Sequence, residues 1–88
     1  MIRLWGKIMI DNKIVKEYDY KVEGDNLTTD NLQSHLVELC YSLDLETPVL
    51  LKKHYKHYNE FSSIKFLPSD FIEEVKFDAF VVDDISDD

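Results

Sequence analysis

Cysteine, glycine and proline are all scarce in this chain, which has one, two and two of them in 88 residues. The single thiol, Cys40, has no internal disulfide partner, so the sequence reads as a cytoplasmic protein held together without covalent staples. With only Gly6 and Gly24, there is no glycine-rich turn to cradle a phosphate, which argues against P-loop and nucleotide-dependent enzymes. Long apolar runs are missing too, so no membrane association is expected. The alternating N-terminus also lacks the continuous apolar stretch of a secretory signal. Basic residues are outnumbered 10 to 18, for a formal charge of −8. An acidic chain repels phosphates, so general affinity for nucleic acid or anionic lipid is not expected. The length supports one domain with a thin stability margin.

The charge is segregated along the chain. Residues 1–22 carry net +2 and residues 23–48 carry six acidic and no basic groups. Residues 49–67 carry four lysines against one glutamate, and residues 68–88 return to net −7. A locally basic segment therefore lies between two acidic ones.

Hydrophobic periodicity gives the elements. Ile2, Leu4, Ile8 and Ile10 alternate with Arg3, Trp5, Lys7 and Met9, the period of a half-buried strand over 2–10. Asp11-Asn12 suits a tight turn, and a second alternation over 13–22 predicts a hairpin. Thr28 or Thr29 can cap a helix over 29–43, with Leu32, Leu36, Leu39 and Leu43 as its apolar stripe. After Pro48, the spacing of Leu51, Tyr55, Tyr58 and Phe61 favours a short second helix. Short strand character returns over 63–67, and Asp70 with Glu73 has capping-box spacing for one helical turn over 70–74. A last alternation over 75–82 puts Phe77 and Val81 inward and Phe80 outward beside Trp5. The expected fold is α+β: a small antiparallel or mixed sheet in the order β-β-α-(α)-β-β, with one main helix packed on one face. Residues 1–82 are expected to form the single domain, and 83–88 a frayed, disordered acidic tail with nothing to bury. The expected core is Leu4, Ile8, Ile14, Tyr20, Leu32, Leu36, Leu39, Leu43, Phe66, Phe77 and Val81.

The segment Lys52-Lys53-His54-Tyr55-Lys56-His57-Tyr58 carries the most suggestive chemistry. Lysines interleaved with tyrosines can contact phosphates and stack on bases, so nucleic-acid binding through 52–65 is one alternative. The simpler reading is an amphipathic helix with solvated lysines and inward tyrosines. His54 and His57 could hold a metal from one helical face, with Glu60 as a third ligand, but neighbouring lysines repel cations. Asp70, Glu73, Glu74 and Asp78 lie close in sequence without the apolar-against-solvated contrast that an acid–base pair needs. Cys40 abuts the apolar stripe and lacks a nearby base, so it reads as a small buried hydrophobe. Ser62, Ser63 and Ser69 lack a nucleophile-elbow context.

The opening Ile2-Arg3-Leu4-Trp5-Gly6-Lys7 and the later Phe71-Ile72-Glu73-Glu74-Val75-Lys76-Phe77-Asp78 resemble a family of short bacterial proteins of unknown function. The resemblance implies a stand-alone bacterial domain and contributes no site residues. The residues themselves point to no enzyme and no cofactor. They favour a non-enzymatic protein-interaction module or homodimer, with an unidentified partner and a surface drawn from Trp5, Lys52, Lys53, Tyr55, Lys56, Tyr58 and Phe80.

Overall fold

A computed structural model describes residues 1–86. Strand β1 (Ile2–Ile10) turns through Asp11 and Asn12, both at positive φ, into β2 (Lys13–Val22). Those two left-handed residues make the turn whose twist matches a right-handed hairpin. Helices α1 (Leu32–Ser42) and α2 (Lys52–Phe61) follow, then β3 (Ser63–Phe66), a 3₁₀ turn (Pro68–Asp70) and β4 (Ala79–Asp84). The four strands form one antiparallel sheet in the order β2-β1-β4-β3.

Strand register divides the sheet into two faces. Ile2, Leu4 and Ile8 of β1, Ile64 and Phe66 of β3, and Phe80 and Val82 of β4 are buried on one side. Leu32, Leu36, Leu39 and Cys40 of α1, with Leu43 just past its end, close over them. Gly6 lets α1 approach, because a Cβ at that position would meet Leu39 and Leu43 side-chain carbons at 3.1–3.2 Å. Helix α2 packs on the same side, its His54 ring 4.7 Å from that of Phe66, which stacks on Phe80. The opposite face is polar: Arg3 pairs with Asp19, the Trp5 indole donates to Glu17, and Lys7 pairs with Asp83.

Several expectations shift against this architecture. The last strand begins at Ala79, not 75, because residues 75–78 follow an irregular path. Its phase is inverted as a result: Phe80 and Val82 point inward, while Val81 sits on the polar face opposite Lys7 and Lys65. A one-residue change of register exchanges the two faces of a strand, so one misplaced boundary accounts for both errors. Ile14 is 41% exposed, and a bulge is the reason. Ile8 faces Lys16 whereas Met9 faces Ile14, so Val15 is the extra residue and Ile14 lands on the outer side. Lys16, in unbroken alternation with Tyr18 and Tyr20, lies on the helix side, where its ammonium donates to the Leu43 carbonyl at the end of α1 at 2.7 Å.

The main helix is regular only from Leu32, with Asn31 at its N-cap and no side-chain cap bond, so Thr28 does not cap it and instead closes the turn that leads in. Thr28 Oγ1 accepts from the Asn31 N–H while Asn31 Oδ1 accepts from the Thr28 N–H, at 3.3 and 2.8 Å. The expected turn over 70–74 is instead the 3₁₀ turn at Pro68–Asp70. Asp83 and Asp84 belong to β4 and are bonded, not frayed: Asp83 accepts from the Ser63 hydroxyl and Asp84 from the Tyr58 hydroxyl, both at 2.8 Å. Residues 87 and 88 of the expected tail lie outside the described residues.

Candidate functional site

Helix α2 sorts its residues by face. Lys52, Lys53, Lys56 and His57 are exposed, Tyr55 and Tyr58 are half-buried against the core, and His54 is 2% exposed. His54 Nδ1 accepts the Leu51 N–H at 2.8 Å, reaching back to satisfy a donor at the helix start. Asp70 does the same for the 3₁₀ turn, its Oδ2 accepting the Leu67 N–H at 2.9 Å. The two side chains then meet, His54 Nε2 lying 3.3 Å from Asp70 Oδ2. That approach lacks hydrogen-bond alignment, and His54 Nε2 has no aligned partner among the described residues. Lys53 covers the other carboxylate oxygen at 3.1 Å. Burial alone would raise the Asp70 carboxyl, but the Leu67 N–H, Lys53 and His54 together hold it below the usual carboxylate range.

These contacts limit what the pair can do chemically. With Nδ1 accepting from backbone and Nε2 turned to a carboxylate, His54 has no nitrogen directed at a substrate. His57 Nδ1 bonds the Ser63 carbonyl at 2.6 Å, and its ring lies against Phe61 at 4.7 Å. His54 and His57 therefore serve two separate backbone contacts. Among the described residues, no group of three or more histidine, cysteine, aspartate or glutamate side chains converges as a metal-ligand set. Asp78 is drawn into another network, accepting the Asp11 N–H at 2.8 Å. Cys40 is fully buried, and burial pushes its thiol up to about 12, with a Thr47 hydrogen bond opposing. The Tyr58 hydroxyl is pushed up strongly as well, first by burial and then by its bond to Asp84.

What remains open is the surface where α2 meets β3. Lys53, His54, His57, Lys65 and Leu67 line a cleft of 280 Å³. Lys52, Lys56 and Lys65 are exposed and form no ion pair among the described residues. Of the four lysines of this segment, only Lys53 is paired among the described residues, and it keeps 58% of its side-chain surface exposed.

The expected interaction residues thus divide among four places. Lys52, Lys53 and Lys56 share the exposed side of α2, and Tyr55 and Tyr58 lie on its inner side. Trp5 is on the far face of the sheet, half-buried, with the Lys7 ammonium 4.2 Å from its ring centre. Phe80 is fully buried in the core and offers no surface. Lys65, His57 and Leu67 complete the cleft instead. Lys65 was legible as part of the basic segment; its position on a sheet edge was not.

Among the described residues, no helix is long and apolar enough to cross a membrane. No family model, no curated protein and no solved structure matches the chain.

Proposed function

We propose that this protein is a non-enzymatic protein-interaction module whose contact surface is the basic α2–β3 edge. One observation carries the reading: Lys52, Lys56 and Lys65 are exposed and unpaired among the described residues beside a cleft, in a chain of net charge −8. A cationic patch on an otherwise acidic protein selects an acidic partner and steers its approach. Nucleic acid fits this patch less well, because stacking needs open rings and Tyr55 and Tyr58 are turned toward the core. Self-association through a face shared by Trp5 and Phe80 has lost its second ring to the interior. The unpaired buried thiol of Cys40 suits a reducing compartment, which supports a cytoplasmic setting.

The test is affinity capture with the wild type and with a Lys52→Glu/Lys53→Glu/Lys56→Glu variant shown to fold by circular dichroism. Retained proteins and nucleic acids are quantified at low and high salt. The reading expects at least one protein held by the wild type, released by salt and missing from the variant. Identical retention by both proteins, or retention of nucleic acid alone, overturns it.

A further inference from the structure

Strands β2 and β3 are the two outer edges of the sheet. The β3 edge is four residues long and partly closed, with its Ser63 carbonyl held by His57 and the following Leu67 N–H by Asp70. The β2 edge runs for ten residues, all exposed except Tyr20 and Val22. The Arg3 and Met9 carbonyls accept the Ile85 and Asp78 N–H groups, both at 2.9 Å. The alternation of an antiparallel ladder then turns the backbone groups of Arg3, Trp5, Lys7 and Met9 toward β4. Those of Leu4 and Gly6 turn toward β2, where they meet Tyr20 and Tyr18. The N–H and carbonyl groups of Glu17, Asp19 and Lys21 therefore point out of the sheet, without a partner among the described residues.

Side chains along this edge alternate as well. Glu17, Asp19 and Lys21 stand on the polar face, opposite Lys7, Trp5 and Arg3, while Tyr18 and Tyr20 stand on the helix side. The Tyr20 hydroxyl is 2.8 Å from His35 Nδ1, and Tyr18 is 43% exposed. A two-fold axis through Asp19, normal to the sheet, lays the β2 strand of a second copy antiparallel to the first. Glu17 then faces the partner's Lys21, and Tyr18 faces the partner's Tyr20, each pair occurring twice. The two Asp19 carboxylates meet across the axis already neutralised, each held by its own Arg3 guanidinium at 2.7–3.2 Å. Other centres are worse. An axis at Glu17 opposes that residue to itself, one at Tyr18 sets Glu17 against Asp19, and one at Tyr20 sets Glu17 against Glu23.

We propose that the β2 edge takes up a second copy of this chain, the two strands pairing antiparallel about Asp19 so that two four-stranded sheets join into one of eight. The outward backbone groups of Glu17, Asp19 and Lys21 bond those of the partner's Lys21, Asp19 and Glu17. On the helix side the paired tyrosines cover the seam. The inference stands apart from the α2–β3 reading, because the joined sheet carries a β3 edge at each of its far ends and leaves both basic surfaces open.

The test is sedimentation equilibrium of the full chain from micromolar to millimolar concentration, with amide exchange of the ¹⁵N-labelled chain at both ends of that range. The wild type is expected to pass from monomer to dimer. In the dimer the amides of Glu17, Asp19 and Lys21 gain more than about tenfold in protection, while those of Tyr18 and Tyr20, already bonded to β1, change by less. Glu17→Lys and Lys21→Glu each set like charges opposite one another and weaken dimerisation by about tenfold or more. An equimolar mixture of the two variants restores it, since every facing pair is then of opposite sign. That recovery separates a contact between copies from damage within one. A chain that stays monomeric throughout overturns the proposal, and so does a dimer whose new protection lies in other segments. A mixture that associates no better than either variant alone overturns it too. Should a variant fail to fold, the alternating protection of the wild type decides the matter.

Discussion

His54 Nε2 and Asp70 Oδ2 stand 3.3 Å apart, each at the end of a side chain that has reached back three residues to the backbone N–H opening its own turn. The segments joined this way are the start of α2 and the 3₁₀ turn beyond β3, and the Val49 N–H bonded to the Asp70 carbonyl at 3.1 Å ties in the approach to α2. One buried pair thus fixes the helix that carries the basic surface. The lysines owe their position to a histidine and an aspartate that solvent barely reaches.

Removing either partner should loosen that end of the molecule. Asp70→Ala strands the Leu67 N–H and leaves His54 and Lys53 without their carboxylate, a cost of about 1–3 kcal/mol in urea denaturation. Asp70→Asn retains one acceptor oxygen and should cost less. A double-mutant cycle with His54→Phe should give a coupling above about 0.5 kcal/mol, because the two side chains belong to one network. Strict additivity would mean that the approach at 3.3 Å carries no energy.

The same carboxylate predicts a pH dependence. Asp70 is held below its ordinary value in the folded chain, whereas the unfolded chain titrates it normally. Ionised Asp70 therefore stabilises the fold above the ordinary carboxylate range, and the contribution is lost as pH falls through the depressed folded value. The stability difference between wild type and Asp70→Asn should be level from neutrality to about pH 5 and shrink as acid protonates the group. Asp19, lowered first by its Arg3 hydrogen bond, acts with the same sign but is exposed, so salt should weaken its share. A difference that widens on acidification would contradict the assignment.

The hairpin, α1 and the α+β class were legible because their signals are local: an Asp-Asn turn, period two, and leucines at helical spacing. The antiparallel pairing of β1 with β4 was not, since long-range register leaves no mark in a short window. Phe80 shows the consequence. Alternation alone fits either phase of residues 75–82, and only the irregular path before Ala79 decides between them. The site was half legible for a similar reason. The basic segment is visible in sequence, but the burial of His54 depends on Asp70, sixteen residues away. Phe80→Ala should cost about 3–5 kcal/mol, the range for deleting a buried ring. Val81→Thr, on the outer face, should change stability by less than about 0.5 kcal/mol. Reversed magnitudes would restore the opposite phase.

Gly6 tests how closely α1 sits on the sheet. An added methyl would lie 3.1–3.2 Å from the ends of Leu39 and Leu43, atoms that can give way by a few tenths of an ångström. Gly6→Ala should therefore be mild, at about 1 kcal/mol or less, with the entropy gained by restricting the unfolded chain offsetting part of the crowding. Gly6→Leu cannot be absorbed this way and should cost more than about 3 kcal/mol or prevent folding. Equal tolerance of both would mean that the helix rests higher than the buried leucines indicate.

Cys40 offers a way to follow opening of the whole core without a mutation. It is fully buried on α1, and its thiol is pushed up to about 12 by burial. At pH 8 the thiolate that reacts with disulfide reagents is then only about one part in ten thousand of the native thiol, and solvent does not reach it. Labelling must pass through an opened state, so its rate reports the opening equilibrium and not the intrinsic chemistry of the thiol. In the native protein, modification should run more than about a thousandfold slower than for a model thiol, and denaturant should restore the full rate. Asp70→Ala should speed native labelling by the factor that matches its loss of stability, if the His54–Asp70 tie and the α1 core open together. Fast labelling of the wild type, or a rate indifferent to Asp70→Ala, would show that α1 opens on its own, independent of the pair that anchors α2.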